Sequence, residues 1–238
     1  MKQYGLILFD IDGTLTRTQN GFLPFNEAFL KTFGFAGDIR TVVPDGNTDP
    51  LIVEEIFAKA GRKLEAGEAW RQTFAVDLRD SYARAVEEGR TTVRALPGAL
   101  ELVRALGNIP GLYSGIVTGN FELTARWKLE AAGLGGYPPL GACGSDACDR
   151  ADLPRIAKGR CEEMVGAPFG PERCVVVGDT PKDLEAARAN RMKCVLVGTG
   201  RFSPAQLRLC GPDACLHDLA DTDAATGALL ALLQNPVG

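Results

Sequence analysis

Short apolar runs recur along the chain, each ended by glycine or polar residues and separated by stretches with helical spacing of apolar positions. Residues 4–9, 112–117, 173–178 and 193–198 are the clearest runs. Residues 139–144 and 214–216 are weaker ones. The β-branched run Val175-Val176-Val177 has the continuous apolar character of a strand buried on both faces. Between the runs, helical spacing is found over residues 99–106, 121–132, 153–165, 184–190 and 224–234. Gly133 stops one of these, and Pro97 suits a first helical turn. Strands alternating with helices predict an α/β fold: a Rossmann-like parallel sheet of five or six strands, covered by helices on both faces.

Residues 17–90 break that alternation. Residues 25–33 and 51–57 have helical spacing, and Trp70, Phe74, Leu78 and Tyr82 recur every fourth position. No strong strand signal interrupts them. The expected organisation is a core domain of residues 1–16 and 91–238, with residues 17–90 inserted as an all-helical cap domain.

Chemistry gathers where the apolar runs end. The first run is followed by Asp10-Ile11-Asp12-Gly13-Thr14. In extended backbone, residues two apart point to the same side, so Asp10 and Asp12 can converge. Two carboxylates so placed repel unless a cation lies between them or one keeps its proton. Other runs end in Thr118-Gly119-Asn120 and in Asp179-Thr180-Pro181-Lys182-Asp183. Parallel strands bring such ends to one edge, where open α/β sheets bind ligands. Each group alone could be a helix cap, with Thr118, Asn120 or Asp179 the candidates. Their co-occurrence points instead to a hard cation held by oxygens, and to an anion held at helix N-termini. Together these suggest a phosphate ester.

Composition narrows the classes. The chain has 238 residues, 45% hydrophobic and 24% charged, which is ordinary for a globular protein. Its net charge of −4 disfavours a nucleic-acid partner. No apolar run has the length of a membrane span. The first strand follows Met1 closely, so no signal peptide and a cytoplasmic location are expected. Seven cysteines, an odd number, suggest reduced thiols, with Cys174 and Cys194 in the core. Cys143/Cys148 and Cys210/Cys215 have loose zinc spacings, but His217 is the chain's lone histidine.

Asp10-Ile11-Asp12-Gly13-Thr14, Thr118 after an apolar run, and Gly178-Asp179-Thr180-Pro181-Lys182-Asp183 resemble three ordered motifs of the haloacid dehalogenase superfamily. The likeness spans essentially the whole chain. It is closest to the superfamily's phosphoglycolate-phosphatase-like members, which carry a helical cap after the first motif. The resemblance implies a phosphatase acting through an aspartyl-phosphate, with Asp10 as nucleophile and Asp12 as general acid and base. It implies Mg²⁺ held by Asp10, the Asp12 carbonyl and Asp179, with Asp183 in support. It places the phosphoryl against Thr118, Gly119 and Asn120. The third motif departs from the family's pattern: where the family usually has a lysine, Arg150 is the positional match and Lys158 the alternative. Cap residues Thr48 and Asp49, with Arg17 and Arg79, are candidate substrate contacts. The partner implied is a small phosphorylated metabolite, such as phosphoglycolate or a sugar phosphate, and the protein a monomer or homodimer. A phosphomutase, or a non-catalytic phosphate-ligand binding protein on the same fold, are the alternatives.

Overall fold

The computed structural model describes residues 5–65, 67–136 and 139–234. Its centre is a six-stranded, wholly parallel sheet. The strands are β1 (Gly5–Phe9), β4 (Leu112–Val117), β5 (Leu140–Ala142), β6 (Cys174–Gly178), β7 (Lys193–Val197) and β8 (Ala214–Leu216). Their spatial order is β5-β4-β1-β6-β7-β8, so the first strand is central. All five residues of β1 are buried, because both faces of the sheet are covered. Ile7 and Phe9 pack on one side with α4 (Ala99–Gly107), α5 (Glu122–Ala131) and α9 (Thr222–Gln234). Leu6 and Leu8 pack on the other with α6 (Leu153–Val165), α7 (Pro181–Ala189) and α8 (Pro204–Leu209). The period-two alternation of a strand thus divides one apolar run between two cores. Cys174 and Cys194 are core residues. Pro97 lies just before Gly98, the N-cap of α4, rather than within its first turn.

The register sets the site. Phe9 is opposite Ile116 on one side and Val177 on the other. The residues that follow these strands therefore emerge at one level, and the Asp10 amide still donates to the Val177 carbonyl at 2.9 Å. Asp10, Thr118 and Asp179 leave the sheet side by side.

Residues 17–90 contain α1 (Phe22–Phe33), α2 (Asp49–Lys59) and α3 (Ala69–Glu87). They share a third apolar cluster built on Phe25, Phe29, Ile52, Phe57, Phe74 and Leu78. The expectation that residues 17–90 are entirely helical is corrected by β2 (Thr16–Gln19), which pairs antiparallel with β3 (Thr92–Ala95). The two strands tie the two ends of the helical segment together as a ribbon. Thr16-Arg17-Thr18-Gln19 reads as polar loop because neither of its faces enters an apolar core. β5 and β8 are the two edge strands of the main sheet. No helix among the described residues is long and apolar enough to cross a membrane.

Candidate active site

The three strand ends open into a cleft of about 610 Å³ between the sheet edge and helices α1–α3. Asp10, Asp179 and Asp183 each bring a carboxylate oxygen within 4.8 Å of the others, and all three are buried. The turn after β1 is what admits Asp179. Gly13 has φ +79°, and a Cβ there would lie 2.3 Å from Asp179 Oδ2, so only glycine fits.

One cation faces this cluster. The Arg150 guanidinium pairs with Asp10 at 3.2 Å and also with Asp183. Its Nε is buried without a hydrogen-bond partner. Lys158, the alternative for this position, pairs instead with Glu162 at 2.6 Å on its own helix. Asp183 doubles as a cap: its Oδ2 accepts from the Thr180 amide and hydroxyl at 3.0 and 2.8 Å, closing a capping box at the start of α7. The capping reading therefore applies to Asp183 and not to Asp179.

Three buried carboxylates against one guanidinium leave negative charge in excess. Burial, aided by Asp183 and Asp12 and opposed by Arg150, pushes the Asp10 carboxyl up to about 6. Burial and the neighbouring Asp183 and Asp10 carboxylates hold Asp179 well above the usual range. An all-oxygen set with surplus negative charge fits a hard divalent cation. Among the described residues it is the one such cluster; the cysteine pairs form none, and every cysteine is a free thiol.

The Asp12 carboxylate turns elsewhere. It accepts from Lys128 Nζ at 2.7 Å, Asn120 Nδ2 at 2.8 Å and Thr18 Oγ1 at 3.1 Å. Burial alone would raise its carboxyl, but the Lys128 ammonium and these hydrogen bonds outweigh that and hold it below the ordinary range. Lys128 also donates to Asn120 Oδ1 at 2.8 Å and lies 4.9 Å from the Tyr82 ring centroid. Sequence reasoning missed Lys128. The available signal is its place on α5. Phe121, Thr124, Ala125, Lys128 and Leu129 are the buried positions, a helical stripe in which one member is a lysine.

The loop after β4 is held from both sides. Thr118 Oγ1 accepts from the Asn120 amide at 3.3 Å and from its Nδ2 at 2.8 Å. The Gly119 carbonyl accepts from the Asp49 amide at 2.7 Å. Asp49 Oδ2 in turn accepts from the Phe121 amide at 2.8 Å, at the start of α5. Asp49 lines the cleft, and burial pushes its carboxyl up to about 6. Thr48 does not face the cleft. It is fully buried, N-caps α2 and donates its hydroxyl to the Cys148 carbonyl at 2.6 Å, so its side chain is spent on structure. Arg17, on β2, lines the cleft and donates to the Thr199 carbonyl. Arg79 pairs with its neighbour Asp80 at 2.6 Å and is not among the lining residues.

The chain matches the family model for haloacid dehalogenase-like hydrolases over residues 4–190. The chain belongs to that family of hydrolases. It is 28% identical over 251 residues to "Probable phosphatase IndB" of Dickeya dadantii (strain 3937), covering 98% of this chain and 97% of that protein. Its fold is similar to that of a hydrolase from Pseudomonas syringae, with a TM-score of 0.68 and 24% identity over 94% of this chain and 98% of that one. It is also similar to a predicted phosphoglycolate phosphatase from Haemophilus somnus 129pt, with a TM-score of 0.65 and 20% identity over 95% and 99% of the two chains.

Proposed function

We propose that the chain is a Mg²⁺-dependent phosphatase of a small phosphorylated metabolite, working through an aspartyl-phosphate on Asp10. The observation that carries this reading is the convergence of Asp10, Asp179 and Asp183, the first two lining the core end of the cleft with Thr118 and the third buried beside them. The relation to a phosphatase along the full length of both chains supports it.

A carboxylate oxygen of Asp10 attacks phosphorus, and the ester P–O bond breaks. The leaving alcohol takes a proton from the protonated form of Asp12, a minority that the Lys128 ammonium keeps small. Asp12 then removes a proton from water, which attacks phosphorus and breaks the bond to Asp10, releasing inorganic phosphate. Thr118 and the amides of Gly119 and Asn120 hold the phosphoryl oxygens. Arg150 spans Asp10 and Asp183 and fixes the direction from which Asp10 attacks. Asp10, Asp179 and the Asp12 carbonyl would hold Mg²⁺, with Asp183 behind them, and the ion would offset charge on the transferring phosphoryl. Residues 17–90 serve as a cap over a core of residues 1–16 and 91–238, and Arg17 and Asp49 are candidate contacts to the substrate. The protein works in the cytoplasm on a small molecule, as a monomer or homodimer, without nucleic acid.

The test is phosphate release from a panel of monoesters with Mg²⁺ and with EDTA. Turnover should require the metal and vanish in Asp10→Asn. Activity surviving in Asp10→Asn removes the nucleophile assignment. Isomerised sugar phosphate in place of free phosphate selects a phosphomutase. Tight binding of esters without any turnover selects a binding protein.

A further inference from the structure

The two ends of the cleft differ in chemistry. The core end carries the acids and the phosphate loop. The far end is walled by Phe22 and Phe25 of α1, Ile39, Ile52 of α2 and Leu78 of α3, while Tyr82 of α3 stands nearer the acids, against Lys128. Phe25, Ile52 and Leu78 are buried in the helical cluster and form a fixed backing. Phe22 and Ile39 are only partly covered and supply the open apolar surface. The Arg40 guanidinium lies 4.3 Å from the Phe22 ring centroid.

A substrate with a second anion needs an unpaired cation at that end. The described cations lining the cleft are Arg17, Arg40, Lys128, Arg150 and Arg201. Arg40 is paired with Asp38 at 2.7 Å, Arg201 with Asp45 at 2.9 Å and Lys128 with Asp12 at 2.7 Å. Arg150 is paired with Asp10 and Asp183. Arg17 is tethered on the core side, to the carbonyl of Thr199, whose hydroxyl donates to the Gly13 carbonyl. Arg40 and Arg201 are exposed and already neutralised by Asp38 and Asp45, so neither adds net positive charge for a carboxylate or second phosphate. Taking the buried Lys128 or Arg150 would leave its acid partner unpaired. Asp45 and Asp49 add negative charge to the same walls.

We infer that the substrate is a monophosphate ester of an uncharged, ring-bearing alcohol, with Phe22 and Ile39 as the residues that select it. The inference rests on the phosphatase reading and narrows it. A ring laid against Phe22 and Ile39 loses water from both surfaces, whereas a carboxylate there loses hydration without gaining a partner.

Benzyl phosphate, ethyl phosphate, 2-phosphoglycolate and fructose 1,6-bisphosphate separate these cases, since all are esters of alcohols. With Mg²⁺, kcat/KM for benzyl phosphate should exceed that for the other three by about tenfold or more. Phe22→Ala should lower the benzyl-to-ethyl ratio about tenfold, and Phe22→Leu should lower it less. Ile39→Lys should move preference toward 2-phosphoglycolate. The inference is overturned if 2-phosphoglycolate or the bisphosphate is the best substrate, or if Phe22→Ala leaves the benzyl-to-ethyl ratio unchanged. In both results turnover persists and the phosphatase reading stands. No Mg²⁺-dependent turnover of any of the four esters, or of 4-nitrophenyl phosphate, overturns both.

Discussion

Lys128 Nζ lies 2.7 Å from Oδ2 of Asp12, and the two residues are 116 positions apart in the chain. The lysine is buried, while Asp12 opens on the cleft. Burial would lower the lysine's affinity for its proton, but Asp12, Tyr82 and Asp49 reverse that and raise it. The ammonium also holds the Asn120 side chain. One buried charge thus fixes both the second acid of the first motif and the loop after β4, without being positioned to attack phosphorus itself.

Replacing it tests that positioning role. Lys128→Met removes Asp12's strongest partner and should destabilise the protein by roughly 1–3 kcal/mol, less than for a fully buried pair because Asp12 reaches solvent. It should lower kcat about 10- to 100-fold with little change in KM, as expected for loss of general acid–base geometry. Steady-state kinetics beside urea unfolding decide it. A loss of stability with kcat intact would reduce Lys128 to a core residue.

Arg150 should not tolerate a conservative change. Its Nη2 reaches Asp10 and Asp183 together, and a lysine, with a differently shaped, flexible head group in place of the planar guanidinium, does not present its nitrogen at the same point. Arg150→Lys should keep the fold and lose about tenfold or more in kcat/KM. The readout is activity across a Mg²⁺ titration. Recovery of full activity at saturating Mg²⁺ would show that Arg150 serves the metal site and not the alignment of Asp10.

Gly119→Ala probes how the helical segment docks on the loop after β4. A Cβ at Gly119 would stand 2.1 Å from the Asn47 carbonyl oxygen and 3.0 Å from the Thr48 Cα. The contact is with backbone, so either residues 47–49 or residues 118–120 must move. The bond between the Asp49 amide and the Gly119 carbonyl then lengthens. Activity should fall at least tenfold with a lower melting temperature, since misplacement of about 1 Å in a catalytic loop is costly. Unchanged activity and melting temperature would mean that the loop yields without consequence.

What the sequence makes legible follows the range of the forces involved. Asp10, Asp12, Thr118 and Asp179 can be placed because each directly follows an apolar strand, and parallel pairing does the rest. Lys128 is harder, because its partner Asp12 is distant in sequence and nothing beside it announces a site; Asp49 is named through the family resemblance of its segment and not through its partners. Thr48 misleads for the opposite reason, being a polar residue in a loop near the site whose hydroxyl is consumed by Cys148 and the start of α2. The β2–β3 ribbon is hidden because two short polar strands pair with each other across the insertion and bury little.

Asp49 gives a pH dependence with a definite sign. Its carboxyl is pushed from the ordinary 3.8 to about 6, first by burial, with Asp12 adding and Lys128 and the Phe121 amide opposing. The native state therefore holds this proton more tightly than the unfolded chain. The cost of ionising Asp49 is absent below about pH 4, grows as pH rises, and is complete above about pH 6, where it reaches on the order of 3 kcal/mol. Asp49→Asn keeps an acceptor for the Phe121 amide and removes the charge. The variant should match the parent's stability near pH 4 and exceed it by about 1–3 kcal/mol near pH 7.5. Urea unfolding of both proteins at the two pH values isolates this group, because every other titrating residue is common to the pair. An equal stability difference at both pH values would show that the Asp49 carboxyl holds its proton no more tightly in the folded protein than in the unfolded chain.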